Sequence, residues 1–448
     1  MQQDFFLFYG VCSSILLSTS HKKTMCDMKL LGFFMLRAVQ YFVRIAVLFA
    51  CLSVFSCGIA ELDSDDNRGP GIWIDPTPGG EVSGGGLPSV TESCYVTTLE
   101  YPKGYDWQAD LNKGSVKCSL VVYVDGAPKL KLAVGDDYQV SSDVDMHRIV
   151  AGDLYTDFVT DSETILKKNG QELFRWSGRE SVKGLVVADD DIYTICQSRS
   201  GQGFSFRKNG EAIMVKSRGY VHEHLHYDSE YGLSFSFCET ILSQQGNVER
   251  HYVMVDSLVT AVGLRDDVDR ILDVAVNQGH PCYLASVKGS SNLMLVDGDS
   301  LYMMFLPPES TVCAGRLFII ENTIFSEAVI VLRRNVSSVV WKGETDLGFM
   351  NEGMTVSAFD YAGGNCCGVF NPYAKGGNVV IYRNSEKSYV PVGYISAGGN
   401  TAAFVNGILH IGLSHTEGGK PMLWKDGHTE ELDINGFISS VHSVRAVP

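Results

Sequence analysis

The sequence predicts an all-β fold built from one repeated unit, and three observations carry that prediction. Short alternating runs rich in β-branched and aromatic residues recur along the chain, among them 120–124 (LVVYV), 191–195 (DIYTI) and 378–382 (NVVIY). No stretch sustains the 3.6-residue apolar period of an interior helix. Between the runs sit dipeptides suited to turns with positive φ: Asp125-Gly126, Asn169-Gly170, Asn209-Gly210, Asp297-Gly298 and Asp426-Gly427, with Asp256-Ser257, Asn335-Val336 and Asn384-Ser385 in the same slot. The first residues of these eight turns are 44, 40, 47, 41, 38, 49 and 42 residues apart, a mean of 43. A period of roughly 40–45 residues with four short strands per unit is that of a β-propeller. Residues 94–448 hold about eight such units. Eight four-stranded blades are expected, with seven as the alternative.

Taken in order, the chain opens on an address. Residues 1–56 hold apolar runs at 5–17 and 45–55, with Lys22, Lys23, Lys29, Arg37 and Arg44 between them. The run 45–55 (IAVLFACLSVF) is too short for a spanning helix, which needs roughly 20 apolar residues, and fits the apolar region of a secretion signal. It ends in Val54-Phe55-Ser56-Cys57-Gly58, which resembles a bacterial lipobox and implies lipid attachment at Cys57. Met25, Met28 and Met35 each precede this better signal, so translation is expected to start at one of them. An acidic cluster follows (Glu61, Asp63, Asp65, Asp66), then seven Gly and four Pro within residues 68–90. Such a composition makes a flexible spacer, so 57–93 reads as anchor and linker. Removing residues 1–56 moves the net charge from −16 to −19. No basic stripe is present, which excludes nucleic acid as a partner class.

The blade text then repeats. Asp153-Leu-Tyr-Thr156 leads to Thr164–Gly170, and Asp191-Ile-Tyr-Thr194 leads to Phe204–Gly210. Each unit reads as an inner strand, a second strand around Leu-Tyr-Thr, a third ending in the turn dipeptide, and an outer strand. The body opens on what read as second, third and outer strands (94–100, 117–124, 129–134) and ends on a lone inner strand, 437–444. Pairing the two ends completes a blade and closes the ring, leaving no free edge to aggregate. With its Tyr-Thr…Lys-Asn-Gly blade text and lipobox, the chain resembles the β-propeller lipoproteins of uncharacterised function found in Bacteroidetes. The acidic cluster behind Cys57 likewise resembles their surface-export signal. The resemblance implies a monomer lipid-anchored to the outer membrane, facing the periplasm or the exterior.

Chemistry-bearing motifs are few. His222, His224 and His226 alternate on one strand, so their imidazoles are expected on one face, where neighbours share a metal ion or pack against the next blade. Cys366-Cys367 is either a vicinal redox pair or two small apolar residues. Eight cysteines follow Cys57 without framework spacing and are expected as buried thiols. If Tyr101 pairs with Val116, Cys94 faces Tyr123 and is out of line with Cys118 for a disulfide. The acidic groups Asp189–Asp191 and Asp266, Asp267 and Asp269 read as solvated turns. Asp256-Ser257-Leu258 and Asp299-Ser300-Leu301 resemble the Bacteroidetes O-glycosylation motif, with Ser257 and Ser300 as acceptors. No nucleophile elbow or phosphate loop occurs, and no cofactor is expected beyond a metal ion at the histidines. The expectation is a binding module for a protein or glycan partner. The alternative is a glycosidase or lyase with its site at the channel mouth.

Overall fold

A computed structural model of the chain describes residues 92–105, 118–134, 147–160, 162–188, 190–243, 246–333, 335–347, 353–372, 378–384, 386–390, 393–396, 401–415 and 419–445. All described residues belong to one compact unit, within Ser56–Pro448. The signal, Cys57 and the linker up to residue 91 lie outside the described residues, while Glu92 and Ser93, read as linker, already belong to the first strand.

Eight antiparallel sheets follow one another, forming a β-propeller. Blades one to seven span 147–177, 180–216, 219–261, 268–304, 311–346, 354–389 and 394–431. In blade seven the inner strand is split into Tyr394–Ile395 and Ala402–Val405, both paired with Ile408–His415. Blade eight joins the two ends of the body: Gly436–Arg445 is its inner strand, followed outward by Glu92–Glu100, Cys118–Val124 and Ala127–Val134. Eight blades and the closing arrangement are therefore as the sequence predicts, with the first strand starting at Glu92.

Both faces of a blade are covered by neighbours, so second and third strands are buried over much of their length, as in Thr323–Leu332. Apolar cores fill the gap between each blade and the next. Phe204, Phe206, Phe235 and Phe237 bridge blades two and three, with ring centroids 4.7 Å apart for Phe206 and Phe235. Tyr95, Leu99 and Leu120 of blade eight meet Ile149 and Leu154 of blade one, while Val96 and Ile438 meet Ala403 and Val405 of blade seven. Outer strands such as Leu258–Ala261 and His428–Glu431 are exposed along their length.

The turn residues owe their place to more than φ. Asn169 and Asn209 take φ of 49° and 50°, and each carboxamide oxygen accepts a hydrogen bond from the start of the second strand: Leu154 N at 2.9 Å, Ile192 N at 2.8 Å. Their Nδ2 atoms donate to Asp153 and Asp191, both at 2.7 Å, which explains the aspartate before each Leu/Ile-Tyr-Thr. Asn384 binds Cys366 N in the same way at 2.9 Å, and Asp125 binds Cys94 N at 2.8 Å.

That last bond corrects the expected register. Tyr95 pairs with Val124 and Glu100 with Ser119, a shift of two residues from a Tyr101–Val116 pairing. The shift places Asp125-Gly126 in the two-residue loop, where the carboxylate reaches Cys94 N. Cys94 and Cys118 then lie at opposite ends of their hairpin, and neither forms a disulfide. Two turns also move. In blade four Asp297 pairs with Ser300, so the loop is Gly298-Asp299. In blade five Asn335 begins the third strand, and the turn to the outer strand is Gly343-Glu344. The gaps around these positions become 42, 45 and 41 residues, so the true period is more even than the sequence suggested.

Replacing Asn209 by Ala should cost about 2 kcal/mol, since it strains a positive-φ site and leaves Ile192 N without its acceptor. Asn209→Gly keeps the turn and should cost only about 1 kcal/mol. Urea unfolding midpoints of the two variants check this order.

Candidate functional site

The inner strands of blades two, four, five, six and eight each bulge by single residues, and blade three enlarges this feature. Its inner strand Gly219–Asp228 pairs regularly up to Val221 opposite Phe237, and the next pair is Leu225 with Phe235. His222, Glu223 and His224 thus face Ser236 alone, as a bulge that redirects their side chains. Val221 and Leu225, on either side of it, both enter the core shared with blade two.

The bulge delivers two imidazoles to one carboxylate of blade four. His222 Nδ1 lies 3.0 Å from Asp273 Oδ1, and His224 Nε2 lies 2.8 Å from Asp273 Oδ2. The same oxygens accept backbone bonds from Val274 N at 2.9 Å and Leu317 N at 2.8 Å. Four donors use the four acceptor positions of a carboxylate. His222 and His224 therefore converge on Asp273, while His226 sits past the bulge, opposite Ser234. Burial opposes ionisation of Asp273, yet His224 and His222 hold its carboxyl well below the usual range. For His224 burial works against protonation, but the Asp273 charge and hydrogen bond outweigh it and raise the imidazole.

A second set adjoins the first. His222 Nε2 lies 3.2 Å from His251 Nδ1, on the third strand of the same blade. His251 pairs directly with Cys238 across the second and third strands, and Cys238 pairs with Tyr220 on the other side. Cys238 Sγ, one carboxylate oxygen of Glu249 and one ring nitrogen of His251 all lie within 4.8 Å of one another. Cys238 and His251 are buried and Glu249 is exposed. Burial pushes the Cys238 thiol up to about 12, with the Glu249 charge adding to it. Burial pulls His251 down to about 4, and the neighbouring His222 works in the same direction. Gly219 makes this packing possible: with φ +125°, any Cβ there would run into the Cys238 carbonyl oxygen.

Both strands continue past the blade. Glu239 is the last residue of Gly232–Ser243 paired to the inner strand, and Tyr252 the first of Gly246–Val255 paired to the outer strand. From Thr240–Glu249 to Ser243–Gly246 the hairpin runs as a two-stranded ribbon. Leu242 is 59% exposed on it and Val248 44%. Cys238 and His251 are the last buried residues before this ribbon.

The remaining sequence candidates lie elsewhere. Cys366 faces Tyr361 and Cys367 faces Asp360 across their hairpin. As consecutive strand residues they enter different inter-blade cores, one between blades five and six and one between six and seven, and neither is in a disulfide. Ser257 and Ser300 are exposed at or beside the outer turns of blades three and four. Asp191 pairs with Lys208 at 2.5 Å, and Asp267 with Arg265 at 3.1 Å, both at the surface; Asp189 lies outside the described residues.

Asp273, Cys238, Glu249 and His251 were not singled out from the sequence. One signal existed: Cys238 and His251 are equidistant from the hairpin turn, and Glu249 shares the face of His251 two residues away. Asp273 had none, because it joins through the neighbouring blade. Two further buried aspartates act across blades, Asp157 Oδ2 accepting from Val182 N at 2.9 Å and Asp360 Oδ2 from Phe404 N at 2.7 Å.

No family model matches the chain, and no curated protein matches it. Among solved structures it is similar to dihydro-haem d1 dehydrogenase NirN in complex with its ligand (TM-score 0.47, 10% identity, covering 78% of this chain and 74% of that one). It is also similar to the β-propeller domain of the trilobed protease from Pyrococcus furiosus, at TM-score 0.40 and 11% identity over 66% of this chain and 91% of that one. An uncharacterised protein from Listeria monocytogenes gives TM-score 0.38 and 11% identity over 64% and 94%.

Burial raises Asp157 to about 6 and Asp360 to about 7, their backbone donors opposing only in part. A carboxyl raised on folding contributes stability that is complete below its unfolded value near 4 and is lost as pH rises through the folded value. Asp360→Asn keeps an acceptor for Phe404 N without the charge. It should gain on the wild type by roughly 2 kcal/mol between pH 5 and pH 8. Unfolding free energies at the two pH values measure this, and a pH-independent difference would remove the buried-charge account.

Proposed function

We propose that this chain is an exported lipoprotein of the cell envelope, anchored at Cys57, whose propeller binds a protein partner. The observation that supports it most is the ribbon of blade three. Leu242 and Val248 put exposed apolar side chains on a two-stranded projection, where a partner can reach them from either face. A two-stranded ribbon also offers unpaired backbone edges to an incoming strand. Exposed Ile213 and Val215 on the outer strand of blade two, and Leu258 and Val259 on that of blade three, extend apolar surface along neighbouring outer edges. The signal segment, lipobox and Gly/Pro spacer support the anchored placement, and the net negative charge suits a protein partner better than an anionic polymer.

Two measurements test the reading. In envelope fractions the wild type should sediment with membranes, and Cys57→Ala should move to the soluble fraction; equal partitioning would overturn the anchor. A photo-crosslinking residue at Asn247 should give a discrete protein adduct, reduced at least tenfold by Leu242→Asp with Val248→Asp. No adduct, or one unchanged in the double variant, would overturn the ribbon as the contact. Glycan-array binding without a protein adduct would replace the protein partner with a glycan.

A further inference from the structure

The root of the ribbon carries a set of groups that packing alone does not require. A thiol, an imidazole and a carboxylate converge where two strands leave the blade, with all three ligand atoms within 4.8 Å of one another. Bonds of about 2.0–2.3 Å at tetrahedral angles place ligand atoms about 3.5 Å apart, so closure around an ion needs an inward shift of roughly 1 Å. Two of the three side chains are held by the regular pairing of Cys238 with His251, and the third, Glu249, is exposed and free to swing in.

The surroundings complete the chemistry. With Asp273 accepting from His222 Nδ1, His222 Nε2 is placed to accept from the Nδ1–H of His251. The chain Asp273–His222–His251 thereby sets the tautomer of His251 and leaves its Nε2 with a lone pair. Carboxylate-supported imidazoles of this kind orient metal-binding histidines. Tyr220, paired directly with Cys238 across the first two strands, lies beside the same group, its ring centroid 6.5 Å from that of His251.

We propose that Cys238, His251 and Glu249 form a site for a divalent transition-metal ion of the zinc class, supported from behind by His222 and Asp273. Sulfur, nitrogen and oxygen ligands together suit a borderline-soft ion such as Zn²⁺ and disfavour Ca²⁺ or Mg²⁺. Cys238 binds as thiolate and releases its proton to solvent. Three protein ligands leave the fourth tetrahedral position for water. The proposal stands independently of what the ribbon binds.

The test uses the purified protein freed of metal by chelator, titrated with Co²⁺ and then Zn²⁺. One equivalent of Co²⁺ should give a thiolate-to-cobalt charge-transfer band with intense visible bands of tetrahedral geometry, both removed by one equivalent of Zn²⁺. Cys238→Ser should abolish the charge-transfer band, whereas Cys313→Ser, which removes a more exposed thiol in another blade, should leave it intact. Glu249→Gln, at an exposed position where folding is not at risk, should weaken Zn²⁺ roughly a hundredfold, and His222→Gln roughly tenfold. Absence of the band in the wild type would overturn the site. So would its persistence in Cys238→Ser, or Zn²⁺ affinity unchanged in Glu249→Gln. Loss of binding in His224→Gln with full binding in Cys238→Ser would relocate the ion to the Asp273 side and overturn the assignment.

Discussion

The inner strand of every blade has one edge on which no strand lies, and the propeller depends on how those backbone groups are satisfied. Unpaired N–H groups at the centre of a ring would each cost about 1–3 kcal/mol. The preceding blade answers with side chains. Val182 N bonds to Asp157, Val221 N to Gln197 at 3.1 Å, Leu317 N to Asp273, Val356 N to Ser338 at 3.1 Å, Phe404 N to Asp360 and Ile438 N to Ser414 at 3.2 Å. Between blades three and four the sense is reversed, with Ser236 Oγ donating to Val274 O at 2.5 Å. All of these ties except that of Gln197 are buried, so short Asp and Ser side chains act as spacers of fixed length between blades.

The charge state of these ties differs with their company. Asp157 and Asp360 are tied to backbone donors, and burial dominates over every neighbouring group. Asp273 has two imidazoles beside it and is held ionised despite the same burial. The blade three/four contact is therefore the place where a common structural device has gained polar side chains beyond its need. It is also where the inner-strand bulge, one residue at a time in blades two, four, five, six and eight, widens to two residues, and where the hairpin outgrows its neighbours. An enlarged bulge, added polar side chains and a lengthened hairpin thus coincide at one blade.

Much of the architecture was legible because the repeat is written in residues with strict local requirements. A two-residue turn with positive φ admits few side chains, so Asp-Gly and Asn-Gly mark the blades directly. The turn misplaced at Asn335 shows the limit of that signal: Gly343-Glu344 does the same geometric task without an Asx residue, and Asn335 belongs to the strand beside it. His222 and His224 were legible as a pair because alternation is local. Their partner Asp273 was not, being 51 and 49 residues away and brought close only by stacking of blades.

By itself the sequence determined the secondary-structure class, the period, the number of units and the closure of the ring by the strand 437–444, all consequences of short-range backbone preference and repetition. Tertiary structure decided the register of the closing blade, the bulge at His222–His224, and the meeting of Cys238, Glu249 and His251 beside the Asp273 relay. Those outcomes rest on contacts between side chains distant in the chain, whose energies appear only when blades pack face to face and water is excluded between them.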